Sequence, residues 1–203
     1  MVRLTIRFAG FLVFMMIAIS ALAQTQFSAD IVSSNLGKAP TKVYFGKSKI
    51  RFEMPDKNLP GGAVILDYAT QHYLLLMPQK HIYMDMPQMM DKGDQYAFFR
   101  IPDAENACAQ WLTLPKNKGG SCHKVGSETV NGRSTVKYEG VNSSGEASTV
   151  WIDPKLGFFI KWQGKNSGGE LRNIEEGPQP DSLFEVPPGM TRMDMSGMMQ
   201  NQK

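Results

Sequence analysis

The chain is short of the residues that most often carry chemistry. Its 203 residues include two cysteines and three histidines. It contains no G-x-S-x-G elbow, no H-E-x-x-H pair, no phosphate-binding loop and no G-x-G-x-x-G turn. A serine nucleophile, a motif-held zinc, a nucleoside triphosphate and a dinucleotide therefore have no signature here. The carboxylates are spread along polar faces without a distinguished pair. His72 and His81 make at most a loose pair on neighbouring strands, and His123 stands apart. The chain reads as a non-enzyme with no cofactor.

Cys108 and Cys122 fit neither a C-x-x-C redox motif nor a zinc spacing. In an oxidising compartment such a pair reads as a structural disulfide. Closing a loop of about 15 residues is worth roughly 3 kcal/mol in the chain-entropy account.

A membrane-length apolar run is also missing. The run Phe8 to Ile19 falls short of the roughly 20 residues a spanning helix needs. Arg3 and Arg7 precede it and Ser20-Ala21-Leu22-Ala23 follows, which is the pattern of a secretory signal peptide, residues 1–23, cleaved near Ala23. No cysteine stands at that site to take a lipid anchor. The expected product is a soluble periplasmic or secreted protein. Excess charge is lacking too. Arg3 and Arg7 account for two of the 22 basic residues, which leaves 20 against 19 acidic ones. That balance gives no reason to expect a nucleic-acid partner.

What the chain does have is alternation. Phe27, Ala29 and Ile31 alternate with polar neighbours, then Val43 and Phe45, then Ile50, Phe52 and Met54. In the last run Lys49, Arg51 and Glu53 take the opposite phase, facing water. From Gly61 to Met90 three further strands follow. Val64, Leu66 and Tyr68 share one face, then Tyr73, Leu75 and Met77, then Ile82, Met84 and Met86. Ala63, Ile65, Leu74 and Leu76 make the other face apolar as well, which predicts a place inside a sheet. Pro87 to Arg100 breaks the period and suits an irregular or helical lid. Ala104 to Leu112 is the best helical segment. Strands resume over 122–130, 134–139, 147–152, 158–162, 170–175 and 182–186, with Asn131-Gly132 as a hairpin turn. Many short strands with tight turns and one helical interruption predict a mainly β single domain, an antiparallel meander.

Methionine is the compositional surplus, with 14 residues. Met84, Met86, Met89 and Met90 form one cluster; Met190, Met193, Met195, Met198 and Met199 form another. Both contain Met-Asp-Met. Thioethers are soft ligands that select Cu(I), and they are also adaptable filler for apolar pockets. Both readings stand at this level. Residues 190–203 lack apolar periodicity and are expected to be a disordered tail.

Several segments carry a family resemblance: the opening Phe27-x-Ala29-x-Ile31 strand, Lys49-x-Arg51-Phe52-Glu53-Met54, the pair Tyr73–Pro78 and His81–Met86, and the ending Phe184-Glu185-Val186-Pro187-Pro188-Gly189. The chain resembles the LolA/LolB-like group of bacterial periplasmic proteins, and within it a related secreted family with no assigned function. The resemblance implies a half-open β-barrel over residues 24–189, a curved antiparallel sheet with helices across its concave face. It implies a cavity for lipoprotein acyl chains, lipids or another hydrophobic ligand. The lining would come from Phe52, Leu66, Leu75, Met84, Met86, Phe158 and Trp162, with Met89, Met90 and Phe98 in the lid. The lipid-anchored receptor branch requires a cysteine that this chain lacks. The carrier branch uses an interior arginine, and Arg51 falls on the polar phase of its strand.

Two other functions are compatible with these residues. One is a copper-handling protein using Met84, Met86, Met89, Met90, Met193, Met195, Met198 and Met199. The other is an envelope sensory or interaction domain that contacts a membrane or a partner protein transiently.

Overall fold

The strand Phe27–Ser33 (β1) is the seam of the molecule, because it hydrogen-bonds on one side to the next strand in the chain and on the other to a strand distant in sequence. A computed structural model describes residues 25–34, 39–54, 61–70, 72–87 and 100–193. On one side of β1 a meander runs through β2 (Thr41–Phe45), β3 (Lys49–Glu53), β4 (Ala63–Asp67), β5 (His72–Met77) and β6 (Ile82–Pro87). On the other side lies a second meander, β7 (Ser121–Val130), β8 (Arg133–Val141), β9 (Ala147–Asp153), β10 (Phe158–Gly164) and β11 (Gly168–Glu176). A last short strand, β12 (Thr191–Met193), joins the first meander at β6 and is parallel to it. The result is one curved, open sheet of 12 strands, in the order β12-β6-β5-β4-β3-β2-β1-β11-β10-β9-β8-β7. The mainly β, antiparallel architecture predicted from alternation is the one observed.

The turns follow from local chemistry. Asn131 and Gly132 both take positive φ (49° and 77°) and join β7 to β8 as a two-residue hairpin. Asp153 accepts hydrogen bonds from the amides of Lys155 and Leu156 at 2.8 and 3.2 Å, turning the chain from β9 toward β10. Gly157 then takes a φ of 58°, and a Cβ there would lie 2.9 Å from the Ile101 carbonyl oxygen.

The helix is shorter than expected, Ala107–Trp111 (α1) inside the predicted 104–112. It packs Ala104 and Ala107 on Val136, Tyr138 and Ile152. The predicted disulfide is present: Cys108 on α1 joins Cys122 on β7, with Cα atoms 5.5 Å apart. The bridge therefore staples helix to sheet. The main core lies around the seam, where Phe27 and Phe45 stack at 4.1 Å and Phe158 meets Phe45 edge-on at 4.7 Å.

Three expectations are corrected. Residues 182–186 do not form a closing strand; Asp181–Phe184 is a 3-10 turn lying across the convex face of the sheet. Its carbonyls explain the second correction. Arg51, predicted to face water, donates to the Leu183 carbonyl at 3.1 Å, and Lys49 donates to that of Phe184 at 3.4 Å. Both cations take the predicted phase, but they serve as anchors for a crossing segment. Third, the tail is ordered at its start, because Met190 packs into the convex-side cluster and Thr191–Met193 form β12. The expected signal peptide, the lid residues Met89, Met90 and Phe98, and Met195, Met198 and Met199 lie outside the described residues.

Candidate functional site

Register turns the sequence stripes into cross-strand rows. One row runs Ala29, Val43, Phe52, Val64, Leu75, Met84, Met193, each residue facing the next on the neighbouring strand. A second runs Phe27, Phe45, Ile50, Leu66, Tyr73, Met86. Residues in such pairs project from the same face, so both rows lie on the concave side with the Phe27–Phe45–Phe158 core. The three stripes read from residues 61–90 thus merge into one surface.

Burial is graded along that surface. Ala29 and Val43 are fully buried, whereas Phe52, Val64, Leu75, Met84 and Met193 are half-buried. In the second row Leu66 is buried and Met86 is half-buried. The concave face is closed at the seam and opens toward β6 and β12. Of the predicted lining, Phe52, Leu75, Met84 and Met86 stand in this opening part. Leu66 and Phe158 form the packed floor beneath. Trp162 lies on the far side of the seam, half-buried, with its indole against Gly169; a Cβ at that glycine would sit 2.4 Å from the ring. Phe159 meets Trp162 edge-on at 5.7 Å, extending the aromatic floor.

The opposite face of the same strands is covered in part. Phe184 covers Ala63, Ile65 and Leu76, with Leu74, Tyr83, Val186 and Met190 packed around it. Gly46 makes room for it, since a Cβ there would come within 2.9 Å of the Phe184 ring. The phenylalanine of the F-x-V-P-x-G ending is thus a peg on the back of the sheet.

One arginine, Arg100, stands against the aromatic core, a position that composition and strand phase gave no means of finding. Its guanidinium lies over the rings of Phe27 (5.2 Å) and Phe45 (5.4 Å) and donates to the Leu156 carbonyl at 2.9 Å. Burial lowers its pKa, and the nearby Tyr68 hydroxyl works in the opposite sense. It remains a cation. It bridges the aromatic core to the turn before β10.

The histidines do not meet. His72 bonds Asp85 through Nδ1 at 2.9 Å, while His81 ends a 3-10 turn with a φ of 52° at the other end of β5. His123 stands 3.7 Å from Glu139 beside a cavity of about 140 Å³ on the β7–β9 face, too small for an acyl chain. Among the described residues no three His, Cys, Asp or Glu side chains converge to hold a metal. No described helix is long and apolar enough to cross a membrane.

No protein-family model matches the sequence. No curated protein matches it either. Solved structures do resemble the fold. An uncharacterised conserved protein from Thermus thermophilus superposes with a TM-score of 0.53 at 10% identity, over 84% of this chain and 91% of that one. MucB in the MucA/MucB complex from Pseudomonas aeruginosa gives 0.50 at 12% identity, over 83% of this chain and 58% of MucB. A LolA superfamily protein from Nitrosomonas europaea gives a weaker 0.31 at 8% identity, over 79% and 88%. The class is that of open, curved antiparallel sheets. Within it, this chain shares the fold of the Thermus thermophilus protein and of MucB.

Proposed function

We propose that the protein is a non-enzymatic periplasmic binding protein that holds a lipid or another hydrophobic ligand against the concave face of its sheet. The observation that carries this reading is the burial gradient. The row from Ala29 to Met193 is apolar throughout, yet its outer half is covered less than its inner half, while Phe184 covers Ala63, Ile65 and Leu76 on the opposite face. Apolar floors with few polar groups are the usual design of sites for such ligands. Phe52, Leu75, Met84, Met86 and Trp162 would touch the ligand. Leu66 and Phe158 would support them, and the segment bearing Met89, Met90 and Phe98 would cover it. The flexible thioethers at the open end suit acyl chains of varied shape.

Native mass spectrometry of protein purified gently from the periplasm tests this directly. A bound lipid-sized mass is expected. Protein that is empty and also fails to take up a fluorescent fatty acid refutes the reading.

A partner protein is the second reading. β7 ends the sheet with Val125 48% exposed, and the similar MucB fold is solved with MucA. Recovery of a stoichiometric envelope partner whose binding is abolished by Val125→Lys would favour it.

A further inference from the structure

Parallel pairing of β12 with β6 brings Met193, the first residue of the second Met-Asp-Met segment, beside the first segment. Met193 is the register partner of Met84, so the first methionine of one motif lies against the first of the other. Met86 follows Met84 by two residues on the same face. Neighbouring strands are about 4.8 Å apart, and residues two apart along a strand are separated by about 6.6 Å. Three thioether side chains thus project from one small triangle at the open edge of the concave face. All three are half-buried.

Elsewhere in the row the residues are aliphatic or aromatic: Val43, Phe52, Val64 and Leu75. Thioether replaces hydrocarbon at the one place where β6 and β12 adjoin. Met190, three residues earlier, belongs to the convex cluster and takes no part.

The aspartate of the motif explains how the alignment is held. Asp85 points to the convex face, where Arg192 on β12 reaches it at 3.2 Å and His72 at 2.9 Å. The carboxylate is engaged on the back of the sheet and clamps the two strands in register. The front retains sulfur ligands without oxygen or nitrogen competitors from the same motif. A neutral all-thioether set selects Cu(I) and its analogue Ag(I) over zinc or Cu(II).

We propose that Met84, Met86 and Met193 form a Cu(I) site at the β6–β12 edge. The site shares Met84 and Met86 with the proposed ligand face, but Cu(I) binding is read separately from ligand uptake.

The test is competition for Cu(I) between the full chain and a Cu(I)-selective chelator, with Ag(I) as a redox-inert second probe. Leucine conserves methionine's volume, so the variants keep the packing. Replacing Met84, Met86 and Met193 together by leucine is expected to weaken Cu(I) binding by at least about a hundredfold, more than loss of an outer-shell partner costs. Replacing Met89, Met90, Met195, Met198 and Met199 by leucine is expected to leave the affinity within about tenfold. Met190→Leu leaves it unchanged. Circular dichroism and an unchanged urea-unfolding midpoint confirm that each variant is folded. A native chain that does not bind Cu(I), a triple variant that binds as well as the native chain, or a five-methionine variant that loses as much as the triple one each overturns the assignment.

Discussion

The two meanders on either side of β1 are built on different physics. The first, β2 to β6, is apolar on one face and mixed on the other, where it is finished by a peg, Phe184, with an edge strand, β12, beside it. The second, β7 to β11, spends its outer surface on charge. Trp151 lies beneath Lys161 and Lys137, at 4.4 and 5.1 Å, and its indole N–H donates to Glu128 at 2.9 Å. Arg133 joins buried Asp153 to Glu176, which Lys155 also reaches at 2.7 Å. A disulfide then pins its helix. The first half is held by packing and leaves an apolar face open; the second is held by covalent and ionic ties and leaves none of comparable length. Binding and stability are therefore separable by region.

Four perturbations break or sharpen that contrast. Phe184→Ala has the largest effect, because it empties the peg site over Ala63, Ile65 and Leu76; a loss of about 3–5 kcal/mol is expected in urea unfolding. Opening the disulfide with Cys108→Ser and Cys122→Ser costs about 3 kcal/mol. It leaves fatty-acid uptake intact, because neither cysteine is among the residues proposed to touch the ligand. Leu75→Glu puts a charge into the open row and is expected to weaken uptake by at least about tenfold. Val125→Glu on β7 leaves uptake unchanged, as a titration with the same probe will show.

The smallest effect concerns acid. Hydrogen bonds from Lys155 and then Arg133 hold the Glu176 carboxyl below the usual carboxylate range. Arg133, for its part, is raised: burial opposes its charge, but the bonds to Asp153 and Glu176 outweigh it. A lowered carboxyl contributes stability that is fully present above the unfolded value near ~4.3 and is lost as pH falls through the folded one. Glu176→Gln should lower stability at pH 7 by under about 1 kcal/mol, since the group is partly exposed, and flatten the acid limb of the melting-temperature profile.

Much of this fold is written in two-residue alternation, and the strands of residues 27–176 were legible for that reason. The elements that alternation misses are those that leave the sheet or join it late. Residues 182–186 carry apolar side chains, but Pro180 before them and Pro187-Pro188 after them confine the segment. Its carbonyls are satisfied by Arg51 and Lys49, not by a strand. β12 is three residues long and carries no period to detect. The concave row was legible as separate stripes; its continuity to Met193 depends on a parallel pairing that local pattern does not encode. Arg100 stands outside any regular element, and its place over Phe27 and Phe45 is a purely tertiary fact.

The seam has a kinetic consequence. β1 emerges early, and its pairing with β2 is local, but its other edge waits for β11. The Ser33 hydroxyl finds the Gly168 carbonyl across 135 residues of sequence. Closing so large a loop is slow relative to zipping either meander, and the sheet is incomplete until it happens. Through most of its synthesis the chain therefore carries an unpaired edge beside its most apolar residues, the condition under which strands find the wrong partner. Its folding is governed less by any single strand than by how long β1 must be kept from other company.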